Sequence, residues 1–219
     1  GEEDWFTNSV AISRTKAGIT YANTNGYEIS AIGFGWCWDH VNYEASSTAD
    51  PVYGCRWHGT SVNGPEGARP WGLDAGDYSV TGNTVCLDTY LSATQEYIDY
   101  CISKGYSTKV FFTTAPVDGG SCIGESGYQG YLKQERIRAY VKSDASRILF
   151  DYADILCYDN DNNLTTTIWN GHTFPYIAVE NSTPEDIGHI SSVGAIRLGK
   201  AMWWMLARIA GWDGTTTDI

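Results

Sequence analysis

Apolar positions recur along this chain in two rhythms. Residues 84–104 place Leu87, Tyr90, Leu91, Thr94, Tyr97, Ile98 and Cys101 three or four apart, the period of one helix face. Residues 190–211 repeat that period with Ile190, Val193, Ile196, Met202, Leu206 and Ile209. Residues 8–24 and 129–143 have helical composition too, and Asn25-Gly26 and Gly105 are natural stops. Between them lie short apolar runs at 29–35, 108–114, 148–154 and 174–179. Each reads as a buried strand, the third as a strand or strand-like segment. Strands alternating with helices predict an α/β fold of three layers, a mainly parallel sheet flanked by helices.

Residues 40–83 break both rhythms. They are rich in Gly, Pro, Ser and Asp, and read as an irregular insertion in a single domain spanning 1–213. Residues 214–219 read as the start of a linker or tail. Ligands of such sheets bind beyond the carboxyl ends of the strands. That rule singles out three loops, at 36–39, 115–120 and 186–189.

Charge narrows the partners. A formal net charge of −12 leaves no basic patch to neutralise phosphates, which argues against nucleic acid and anionic membranes. No apolar run reaches membrane-spanning length. The six cysteines, Cys37, Cys55, Cys86, Cys101, Cys122 and Cys157, include no CxxC pair. Their even count and wide spacing suit disulfides in an oxidising, extracellular setting, with fifteen pairings open. Nine Trp and fifteen Tyr supply ring faces for stacking on sugars, although any single ring is more often core.

The sharpest chemical signal is Asp186-Ile187-Gly188-His189, ahead of the last helical stretch. An Asp three residues before a His can fix the imidazole tautomer and stabilise the imidazolium formed on proton uptake. The plainer reading is Asp186 as a helix cap.

With that Asp-x-x-His before a C-terminal helix, the order of elements over residues 29–212 resembles the SGNH (GDSL-type) hydrolase superfamily. The stretches Phe34-Gly35-Trp36-Cys37-Trp38, residues 149–155 and residues 203–213 are similar to parts of secreted SGNH-like proteins. The resemblance implies an SGNH/flavodoxin-like sheet and an esterase or deacetylase acting on a carbohydrate, with His189 as base and Asp186 orienting it. It implies no cofactor and no metal.

The nucleophile has two placements under this resemblance. In one, Thr7-Asn8-Ser9 is the first block and Ser9 attacks, although Glu3 and Asp4 fit a buried strand badly. In the other, residues 29–35 form the strand of the third block and the nucleophile lies upstream of Gly1. The second is favoured, because the later strands then follow the family order. Asp39 then stands near the oxyanion-donor Asn of the family, where an ionised carboxylate cannot donate; Asn83 serves under the first placement. Trp36, Trp38, Trp57 and Trp71 would shape a sugar cleft. Cys37 at a strand end invites a thiolate reading, against which a disulfide or buried thiol is favoured. Asp159, Asp161 and Asn163 resemble the opening of a calcium loop, but Leu164 and Asn170 break its pattern, so a solvated acidic turn is the better reading. His40, His58 and His172 show no metal spacing.

The expectation is therefore a secreted SGNH-like ester hydrolase. The alternative is a glycan-binding or structural module that keeps the fold without a working triad. If the first block is absent, the strand at 29–35 lacks its inner neighbour. An upstream fragment or an oligomer partner is then expected to complete the sheet.

Overall fold

The computed structural model describes residues 9–35, 87–117, 123–183 and 189–215. In chain order it contains α1 (Ser9–Thr24), β1 (Ala31–Gly33), α2 (Leu87–Lys104), β2 (Lys109–Thr113), α3 (Gly124–Lys142), β3 (Leu149–Phe150), α4 (Tyr152–Leu156), β4 (Thr166–Trp169), β5 (His172–Pro175) and α5 (Ser192–Ile209). A short 3₁₀ turn, Val179–Asn181, precedes α5. The fold is mixed α/β, as expected.

The helix stops work as their sequence suggests. Gly26, Gly105 and Gly211 all take positive φ, which a side chain would resist. After α2, the Gly105 N–H donates to the Ile102 carbonyl and the Tyr106 N–H to the Cys101 carbonyl, both at 3.0 Å. That pair of bonds closes the helix end and turns the chain into β2.

Three strands form a parallel sheet in the order β1-β2-β3. The central strand alternates sharply. Val110 and Phe112 join Ile19, Leu87, Tyr90, Leu91, Tyr97, Ile137 and Val141, from α1, α2 and α3. Phe111 instead joins Phe150, Leu156, Ile177, Leu198 and Met205, which brings in α4 and α5. A strand buried on both faces explains the unbroken apolar run in β2.

The Lys109 N–H donates to the Ser30 carbonyl. Because backbone groups alternate sides along a strand, Ser30 and Ile32 face β2 while Ala31 and Gly33 face away. No described strand lies on that outer side.

Two expected strands need correction. The run 148–154 yields only two strand residues before Asp151 accepts a hydrogen bond from the Asp154 N–H and caps α4. An acidic cap at that point ends the strand. The run 174–179 is not a fourth parallel strand. Its first residues belong to β5, which pairs antiparallel with β4 in a separate two-stranded hairpin. Asn170 and Gly171, both at positive φ, make the tight turn between them. Asn-Gly flanked by strand residues is a strong hairpin signal.

That hairpin packs on α3 through rings. Tyr128 stacks on His172 with centroids 4.6 Å apart and lies 5.5 Å from Trp169 and 5.6 Å from Phe174. Among the described residues, no helix is long and apolar enough to cross a membrane.

Candidate functional site

The carboxyl ends of the three strands are built from polar groups that hold one another. The Tyr90 hydroxyl, carried by α2, accepts from the Thr113 N–H at 2.8 Å and lies 3.1 Å from the Thr113 carbonyl, to which it donates. The Thr113 hydroxyl donates to the Phe34 carbonyl at 2.6 Å, tying the end of β2 to the chain leaving β1. Thr114 donates to Asp151 at 3.0 Å and accepts from the Ala153 N–H at 2.9 Å.

Arg138 from α3 grips the Asp151 carboxylate through Nε and a terminal nitrogen, at 2.7 and 2.8 Å, and also reaches Glu135 at 2.7 Å. Burial alone would lower the Arg138 pKa, but the two carboxylates outweigh it and the guanidinium is held more firmly charged than usual. Such a bidentate pair fixes geometry as well as charge. At the next turn, partial desolvation, and then the Asp151 charge, push the Asp154 carboxyl up.

Beside these strand ends lies a cleft of about 390 Å³. Gly33, Phe34, Gly35, Phe111, Thr113, Thr114, Pro116, Phe150 and Tyr152 line it from the sheet side, and Leu198, Gly199 and Met202 from α5. It is therefore at the position where open α/β sheets bind ligands. Burial raises the pKa of the Tyr152 phenol, so that group is neutral.

His189 stands just ahead of α5. Its side chain is exposed, and its carbonyl accepts from both the N–H and the hydroxyl of Thr183, at 2.6 and 2.9 Å. The adjoining Ile190 pairs with Ser182, and Ser191 caps α5 by accepting from the Gly194 N–H. Gly194 is required there, since a Cβ would sit 2.6 Å from the Asn181 carbonyl oxygen. The backbone of His189 is thus pinned while its ring is not consumed by the core.

Ser9 is the first residue of α1 and is exposed. Neither Ser9 nor His189 is among the described residues that line the cleft. Asp186, Trp36, Trp38, Asp39, Asn83, Cys37, Trp57 and Trp71 lie outside the described residues.

Two cysteines are placed. Cys101 is buried with α2 on one face of the sheet, and Cys157 is buried with α4 on the other. They do not bond each other. Cys37, Cys55, Cys86 and Cys122 lie outside the described residues. The acidic turn closes on itself. Asp159 accepts from the Asp161 and Asn163 N–H groups and from the Asn163 side chain, while Arg197 pins the turn to α5. Among the described residues, no cluster of His, Cys, Asp or Glu has the makings of a metal site.

From sequence alone Tyr90, Thr113, Thr114 and Arg138 fall within an expected strand and helices but carry no motif that marks a role at the site. Paired threonines at the end of an apolar strand were the visible signal. Their partners come from distant helices and leave no local pattern. No protein-family model, curated protein or solved structure matches this chain.

Proposed function

We propose that this chain is an SGNH-like hydrolase domain of three layers, cleaving an ester on a carbohydrate outside the cell. The observation that carries the reading is the placement of an exposed His189 at the entry to the C-terminal helix, which also walls a cleft at the carboxyl end of a parallel sheet. The sequential order β1-β2-β3 suits the later half of such a sheet. His189 takes the proton of an attacking serine, and Asp186 orients the imidazole.

The serine is Ser9 or one supplied by a second polypeptide. The outward-facing backbone of Ala31 and Gly33 favours a partner strand on that edge, since the N–H and C=O groups of an open sheet edge are a template for pairing with another strand. The binding-module reading is favoured by one observation, that neither Ser9 nor His189 is among the described residues lining the cleft. A fluorophosphonate serine probe separates the two. Labelling of a serine, lost in His189→Ala, is the expected result. A folded chain that takes no label, alone or with its partner strand, ends the hydrolase reading.

A further inference from the structure

Among the described residues, the side chains that line the cleft between the strand ends and α5 offer almost no uncommitted hydrogen-bonding group. Its two threonines are both committed: the Thr113 hydroxyl to the Phe34 carbonyl, and the Thr114 hydroxyl to Asp151 and the Ala153 N–H. The Tyr152 hydroxyl is the one lining side-chain donor with no partner among the described residues. The rest of the wall is apolar, and the rings of Phe34, Phe111, Phe150 and Tyr152 dominate it.

From this lining we infer that the cleft binds a neutral, ring-bearing apolar group. Resting on the hydrolase reading above, that group is the acyl part of the ester. A sugar suits this wall poorly, because most of its hydroxyls would be desolvated against apolar side chains without a partner. An acetyl group suits it poorly too. The volume of about 390 Å³ equals roughly a dozen waters at about 30 Å³ each, and an acetyl would leave most of it empty. An aryl-alkyl group occupies far more of it than an acetyl, and ring edges and faces favour an aromatic guest. The carbohydrate then lies outside the cleft and the acyl group within it.

The geometry offers a clean way to close the site. Gly199 lines the cleft from α5, and a Cβ built there meets nothing within 4 Å. A side chain at 199 therefore enters open space without displacing backbone, and it also suits a helix better than glycine.

The test is an NMR titration of the intact chain with 3-phenylpropionamide, with acetamide as reference. Both probes are neutral and resist hydrolysis. Saturable shifts are expected at the methyl groups of Leu198 and Met202, with affinity at least tenfold above acetamide. Gly199→Phe should weaken binding at least tenfold, while Gly199→Ala keeps it and shows that the helix tolerates the position. Equal affinity for the two amides, shifts confined to Trp203 and Trp204, or unchanged binding in Gly199→Phe would overturn the inference. The hydrolase reading fails separately. Amide binding without serine labelling keeps the cleft and removes the esterase. Serine labelling with faster turnover of an acetyl than of a 3-phenylpropionyl ester keeps the esterase and removes the acyl assignment.

Discussion

On one side of β2, Phe112 is fully buried against Tyr90, Tyr97 and Ile137, which are at most 1% exposed. On the other side, Phe111 looks towards α5, where Leu198 and Met205 are buried but the cleft stands open beside them. The same helix carries Ile196, Trp203, Trp204 and Leu206 in the open, with Trp203 at 67% exposure. Both faces are apolar in sequence. They differ in what packs with them: residues of α1, α2 and α3 cluster with Phe112, and residues of a short α4 and of α5 cluster with Phe111. The first face is the more deeply buried, and the second leaves apolar surface and a cleft open.

The hardest test of that division is Phe112→Ala. The ring is fully buried and meets Tyr90 and Tyr140 edge-on, at 6.3 and 5.6 Å. Its neighbours on three helices cannot all collapse into the gap. A loss of about 3–5 kcal/mol is expected in urea unfolding. A loss below about 1 kcal/mol would show that this face is not the stabilising one.

Tyr90→Phe probes the closed face more gently. Its ring packing survives, but the Thr113 N–H loses a buried partner at 2.8 Å. About 1–2 kcal/mol should be lost. The strand end should also loosen, read as faster amide exchange at Thr113 with little change at Val110. Uniform exchange across β2 would mean that the hydroxyl does not organise the site.

The closed face was also the legible one. Helical spacing in residues 87–101 and the run Val110-Phe111-Phe112 fixed α2 and β2 to within a few residues, because a repeating period is a local signal. The sequence reading failed where one residue decides. Asp151 turns a strand into a helix start, and Asn170-Gly171 turns the expected fourth strand of the sheet into one arm of a hairpin. At the site, the helix spacing put His189 ahead of α5. The Arg138–Asp151 pair was invisible, since the two residues lie on different elements and no local spacing links them.

The smallest effect is expected on the open face, from Trp203→Lys. The indole is 67% exposed, and its described ring neighbour is Trp212, tilted at 6.3 Å. Replacing it removes little buried area, and lysine is a good helix former, so stability should change by no more than about 0.5 kcal/mol. The informative outcome is a larger one. If Trp203→Lys costs more than about 1 kcal/mol in the chain alone, the ring is covered in solution, and the contrast between the faces is false. If the cost is small but the variant loses association with a strand-supplying partner, α5 contributes to the surface on which that partner docks. The two measurements, unfolding of the chain alone and sedimentation of the mixture, separate a covered core from an open interface.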